Sequence, residues 1–235
     1  MKKIAITFII LMITITAAFS DDAFFPARRG AVLLTANLNS NGRIEGYSRM
    51  TVREVRESGS NITVVYTIQV LDKNRKNIGN EREYTINIRN GVSIYRFDNT
   101  MDAFFAAREM DYSMTAGNFN IPSNIVSGSR LENTWLKIIV KVPIVGTVTA
   151  DTAITNIVCT GIERVAVPAG TFEAYKITQT STTTTTGWPT PQIINNGATW
   201  YARGIGVVKS VNYDSRGRVE SSSELQELHG IVLAE

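Results

Sequence analysis

The sequence predicts an almost wholly β protein of antiparallel strands with one short helix, and three observations lead there. Period-two alternation of apolar and polar residues recurs along the chain, sustained helical periodicity is nearly absent, and clusters of Asn, Asp, Gly and Pro interrupt it at short intervals. Strands joined by such tight turns pair antiparallel, because parallel neighbours need long crossovers.

The chain opens on Met1, Lys2 and Lys3, followed by an apolar run over residues 4–18 and the small-x-small triplet Ala18-Phe19-Ser20. This is the layout of a secretory signal peptide, residues 1–20, cut between Ser20 and Asp21. The run is 15 residues long, short of the roughly 20 a spanning helix needs, so no stable membrane span is expected after cleavage. No cysteine stands near that site, which argues against a lipid anchor. The expected destination is the periplasm or the medium. Removing 20 of 235 residues leaves 215, and residues 21–235 are expected to form a single β-rich domain large enough to bury a core without cross-links.

The alternating runs then follow in order. Residues 61–70 are rich in β-branched side chains and residues 84–89 alternate cleanly; the same character returns over 135–142, 145–159, 162–167, 174–186, 198–202 and 206–213. Between them stand turn signals: Asn39-Ser40-Asn41-Gly42, Asp72-Lys73-Asn74, Asn90-Gly91, Pro168-Ala169-Gly170, Asn195-Asn196-Gly197 and Asp214-Ser215-Arg216-Gly217. The run of five threonines over 182–186 continues a strand, since threonine favours extended backbone. A stiff loop, Trp188-Pro189-Thr190-Pro191, comes after it. The echo between residues 39–45 and 214–220 reads as shared hairpin chemistry. Residues 101–110 contain good helix formers; they predict the one helix, capped by Asp98 or Asn99, with Phe104 and Phe105 partly turned inward.

The reactive inventory is thin. The chain carries 24 basic and 21 acidic residues, and loss of Lys2 and Lys3 leaves 22 against 21, which gives no bulk-charge basis for binding nucleic acid. Cys159 is the only cysteine and His229 the only histidine, so neither a disulfide within the chain nor a zinc site is expected. Cys159 lies in an apolar run and reads as a small buried hydrophobe. No nucleophile elbow accompanies His229, and Gly204-Ile205-Gly206 lacks the third glycine and the following helix of a dinucleotide site. The expectation is no catalytic residue, no metal and no cofactor. The acid to watch for a carboxylate-dependent hydrolase is Glu173. Trp135, Trp188, Trp200, Tyr201, Phe104, Phe105 and Phe119 could line a concave apolar surface.

Two longer stretches, residues 165–177 around Pro168, Gly170, Phe172 and Tyr175 and residues 199–210 around Trp200, Tyr201, Gly204 and Gly206, resemble the paired signatures of the TapB-like exported proteins of Bacteroidetes, a family of unknown function. Phe24-Phe25-Pro26, Gly30, Ile121-Pro122 and the turn at Asp214 extend the likeness over most of the mature chain. It implies a curved antiparallel sheet, a half-barrel similar to those of periplasmic lipoprotein carriers, and no catalytic residues. Pro168 and Gly170 are expected to turn the chain into the Phe172 strand. Gly204 and Gly206 are expected to permit a bulge or close backbone approach. The leading expectation is a non-enzymatic periplasmic protein that binds an apolar small molecule or lipid on the concave face. The alternatives are an assembly component that binds an envelope protein, and the hydrolase.

Overall fold

A computed structural model describes residues 22–96, 98–187 and 192–231. The expected signal peptide and the Trp188-Pro191 loop lie outside the described residues. The strands in chain order are β1 (Val32–Asn39), β2 (Ile44–Ser58), β3 (Asn61–Asp72), β4 (Asn77–Arg89), β5 (Val92–Arg96), β6 (Tyr112–Ala116), β7 (Asn118–Pro122), β8 (Thr134–Val142), β9 (Gly146–Val167), β10 (Gly170–Thr186), β11 (Ile193–Ala202), β12 (Gly206–Tyr213) and β13 (Val219–His229). Among the described residues one helix, α1 (Asp98–Ala107), sits between β5 and β6. All strands join one antiparallel sheet in the order β6-β8-β9-β10-β11-β12-β13-β1-β2-β3-β4-β5-β7. The fold class is the predicted one, with the curved sheet carried round until it is a nearly closed barrel.

Chain connectivity explains the closure. The strands at the two ends of that order, β6 and β7, are separated in sequence by Gly117 alone, so the sheet must curl until its edges meet there. One extended segment thus pairs with β8 through its first half and with β5 through its second. Gly117 donates its N–H to the Trp135 carbonyl at 2.9 Å. A Cβ at that position would sit 2.6 Å from Thr134 Oγ1, so glycine allows the seam to close. This near closure leaves, among the described residues, only the short strands β6 and β7 as edges, each paired on one side, and limits the edge that would otherwise invite pairing with other chains.

Three hairpins use one turn chemistry. Asn39, Asp72 and Asp214 each accept two backbone N–H groups on a single side-chain oxygen, from the residues two and four positions on. The fourth residue of each turn, Gly42, Arg75 and Gly217, has positive φ. Because the Asp72 turn does this in an unrelated sequence, hairpin chemistry accounts for the echo between the other two. Pro168 and Ala169 form the tight turn between β9 and β10, with Val167 opposite Gly170.

Several boundaries differ from expectation. Residues 145–159 and 162–167 fall in one strand, β9, because Gly161 pairs with Lys176 and continues the ladder. The ladder shifts register twice: at Thr160, which is left without an opposite residue between Lys176 and Ile177, and again opposite Thr178 to Thr180, where Asn156 takes a φ of 53°; such bulges bend a hairpin. Asn195-Asn196-Gly197 is no turn; these residues lie inside β11 opposite Gln179 to Ser181. The helix covers Asp98–Ala107 instead of 101–110, so Asp98 is its first residue. Asn99 does not cap it but donates to Tyr66 Oη at 2.9 Å.

The helix packs through Ala103 and Ala107, which join Val64, Ile86 and their neighbours in the core between α1, β3 and β4. Phe104 is not inward: it is 46% exposed, under the Arg108 guanidinium, and half-buried Phe105 stacks on Tyr112. Gly79, at a φ of 62°, brings the β4 backbone against α1, where a Cβ would lie 2.6 Å from Ala107 Cα. Gly79→Ala is therefore expected to cost well over the ~1 kcal/mol that a positive φ alone imposes on alanine. Gly59→Ala, with a similar φ of 59° and nothing within 4 Å, supplies the comparison. Equal losses in equilibrium unfolding would show that the helix does not press on Gly79.

Candidate functional site

The barrel encloses a cavity of about 340 Å³, at the small end of the roughly 300–1,000 Å³ range of small-molecule sites. Strands distant in sequence meet around it. Phe25, Tyr66, Tyr95, Phe119 and Tyr201 form an aromatic region, and Leu33, Met50 and Ile68 extend the apolar wall. Thr35, Asn37, Ser48, Thr199, Ser210 and Ser223 supply uncharged polar groups. Among the described residues no carboxylate lines this lumen, and Arg96 is its one ionised side chain.

The aromatic region is interlocked. Tyr95 lies 6.1 Å from Phe25, 6.3 Å from Phe119 and 5.8 Å from Tyr201 between ring centroids, and Phe25 lies 5.0 Å from Tyr66. Burial pushes the Tyr95 and Tyr201 phenols well above their ordinary values, with Tyr201 and Tyr66 adding to the effect at Tyr95. Both are therefore neutral O–H groups at physiological pH.

Part of this region comes from the segment before β1. Phe24 is fully buried, Phe25 is 5% exposed, and Ala23 and Pro26 are buried beside them. The strap is held by its backbone: Gly204 donates its N–H to the Ala23 carbonyl at 2.7 Å, Phe24 donates to Ser93 Oγ at 3.1 Å, and Tyr95 Oη donates to the Phe24 carbonyl. Arg203 clamps the same place. Its guanidinium donates to the Asp22 and Ser123 carbonyls and to Tyr175 Oη, and it lies 5.2 Å from the Phe24 ring centroid and 5.0 Å from that of Tyr175.

The signature residues meet around this strap. Gly204 and Gly206 have φ of 68° and 91°. A Cβ on Gly206 would stand 3.1 Å from the Phe24 carbonyl oxygen, so the close approach expected of this pair is toward the strap. The bulge lies on β12 just after Gly206, where Val208 is the extra residue opposite the step from Trp200 to Tyr201. Tyr175 stacks edge-on to Phe24 at 5.0 Å, and Tyr201 lies 6.5 Å from Phe24. Trp200 does not line the lumen; it packs with Phe172, Ala174 and Val208. Pro168 is exposed at its turn and Gly170 follows it.

Of the aromatics expected on a concave apolar surface, the lumen takes Phe119 and Tyr201. Trp135 is 49% exposed on β8, and Trp188 lies outside the described residues. Phe25, Tyr66 and Tyr95, which the aromatic reading missed, complete the set. Arg203 was missed as well; its place inside the second signature was the available signal.

Other candidates fall away from the lumen. Glu173 is exposed on β10 opposite Arg164. His229 is exposed, 3.5 Å from Glu227. Cys159 is fully buried, and burial pushes its thiol up. Among the described residues no group of three or more His, Cys, Asp or Glu side chains could hold a metal ion.

Helix α1 reaches the lumen through Asn99 and is tied down by Asp102. That carboxylate accepts from Tyr84 Oη and Tyr112 Oη, each at 2.7 Å, and from Arg82 Nε at 3.1 Å. Burial alone would raise the Asp102 carboxyl; the hydrogen bonds from Tyr112 and Tyr84 and the Arg82 guanidinium outweigh it and hold the group below its usual value. Burial, with the hydrogen bond to the Asp102 carboxylate and its charge, pushes Tyr112 up to about 12. A carboxyl depressed on folding stabilises above its unfolded pKa of ~3.9, and the stabilisation is lost as pH falls through the folded value. Amide-exchange protection in α1 is accordingly expected to fall below about pH 4 before that of β1. Asp102→Asn should show weakened protection already at neutral pH; equal protection in variant and parent would remove this latch.

The DUF3108-like family model matches residues 28–225. No curated protein matches the chain. Solved structures share its fold, among them one from Bacteroides fragilis and one from Parabacteroides distasonis. The former, described as exported and of YmcC-like fold, aligns with a TM-score of 0.73 at 21% identity over 88% of this chain and 98% of its own. The latter, described as a lipoprotein, aligns with a TM-score of 0.74 at 21% identity over the same shares.

Proposed function

The chain belongs to the DUF3108-like family, and on that footing we propose that it is an exported, non-enzymatic envelope protein whose barrel lumen holds an apolar small molecule or lipid. The observation that carries the reading is the cavity of about 340 Å³ bounded by five aromatic side chains, Phe25, Tyr66, Tyr95, Phe119 and Tyr201. Aromatic walls contact apolar ligands over a large area with little loss of side-chain entropy on binding. The leader-like residues 1–20 and the descriptions of the two structural neighbours as exported and as a lipoprotein support the location. The motifs around Pro168 and Trp200 support a narrower placement among TapB-like exported proteins.

Titration with N-phenyl-1-naphthylamine, a neutral fluorophore that brightens in apolar surroundings, tests the reading. Saturable binding near one probe per chain is expected. Thr199→Trp, which fills the lumen from β11, is expected to weaken it at least about tenfold while leaving cooperative unfolding in place. Unchanged binding in that variant would put the probe elsewhere and contradict the proposal.

A further inference from the structure

The polarity of the lumen is graded, and the grading bears on the chemistry of the ligand proposed above, on which this inference rests. Along β1 the residues facing the lumen pass from buried Leu33, through half-buried Thr35, to exposed Asn37. On β11 the passage is from buried Tyr201 to half-buried Thr199. Register then aligns the polar positions across neighbouring strands: Thr199 stands opposite Ser210, Ser210 opposite Ser223, and Ser223 opposite Asn37. Thr35 stands opposite Ser48 in the adjoining pair. The Ser210 and Ser223 hydroxyls are 2.7 Å apart, so the strands bring these groups within hydrogen-bonding reach of one another.

This ladder runs across four consecutive strands, β11, β12, β13 and β1, and each of its side chains can both donate and accept. None of them is charged. Arg96 lies on β5 beside α1, outside the ladder strands, and has an interaction of its own. An ionised head group at the ladder would lose hydration without meeting an opposite charge, whereas a neutral hydroxyl or amide would exchange water for equivalent partners. We infer that the lumen takes an amphiphile apolar end first, against the aromatic region, and holds at the exposed end of β1 an uncharged, hydroxyl- or amide-bearing head group such as a glycerol or sugar ester.

The test compares lauryl amphiphiles that differ only in their heads, each below its micelle concentration, by displacement of N-phenyl-1-naphthylamine from the purified protein. 1-Monolauroylglycerol is expected to bind at least about tenfold more tightly than dodecyl phosphate or dodecyltrimethylammonium. The Ser210→Ala, Ser223→Ala double variant is expected to narrow that gap. Equal or tighter binding of either charged amphiphile overturns the head-group inference and leaves the lumen reading standing, as does binding of the fluorophore with no displacement by the glycerol ester. Failure of the fluorophore and all three amphiphiles to bind overturns both.

Discussion

Replacing Trp200 with alanine is expected to lower stability by about 3 to 5 kcal/mol in equilibrium urea unfolding. The ring is 8% exposed and packs against Phe172, Ala174 and Val208, where truncation leaves a cavity that neighbouring strands cannot collapse to fill. Its indole N–H donates to Glu163 Oε1 at 2.6 Å, and the Lys176 ammonium lies 4.9 Å from the ring centroid. Lys176 also approaches Glu163 at 3.6 Å, so one truncation removes the side chain at the centre of a polar cluster spanning three strands, β9, β10 and β11. Trp200→Phe retains most of the apolar area but loses the hydrogen bond, and is expected to cost nearer 1 to 2 kcal/mol. A loss below about 1 kcal/mol for the alanine variant would place the ring outside the core.

A comparable loss, about 3 to 5 kcal/mol, is expected for Phe24→Ala, although this residue lies in no strand. Its side chain is fully buried, edge-on to Tyr175 and near Tyr201, and its backbone is held by Ser93 and Tyr95. Emptying the site removes the ring over which Arg203 lies and leaves a void beside the lumen. Phe104→Ala is the control: at 46% exposure on α1, it is expected to change stability by less than about 1 kcal/mol. Similar losses for the two phenylalanines would mean that the strap before β1 is not part of the core.

These residues show which parts of the fold are legible in sequence. Alternation exposes a strand where one face is buried and the other is wet, as on β4, where Ile86 and Ile88 are buried and Thr85 and Arg89 exposed. Turn chemistry is equally local, and Asn39, Asp72 and Asp214 announce their hairpins. Where a tertiary contact decides, local signals mislead. Asn195-Asn196-Gly197 has turn composition, yet it is drawn into β11, where a Cβ on Gly197 would lie 3.3 Å from Gln179 Cγ. Helix α1 starts and ends three residues early because its register follows the seat of Ala103 and Ala107 on β3 and β4, which helix propensity does not encode.

The candidate site is less legible than the fold. Tyr201 and Phe119 stand out as aromatics, but Thr35, Ser48, Thr199, Ser210 and Ser223 look like ordinary polar positions of alternating strands. Only strand register aligns them, and register between strands far apart in sequence leaves no local mark. The role of Phe24 and Phe25 is hidden for a related reason: they precede β1, and their partners Tyr66, Tyr95, Tyr175 and Tyr201 come from four other strands.

That the barrel holds a ligand inside it is tested most directly by solvent extraction of the folded protein isolated from cells that make it, followed by mass spectrometry of the extract. The account predicts roughly one amphiphile per chain, with an apolar tail and a neutral head, and its loss from the Thr199→Trp variant. An extract free of amphiphile from a protein that also fails to take up monolauroylglycerol would contradict it.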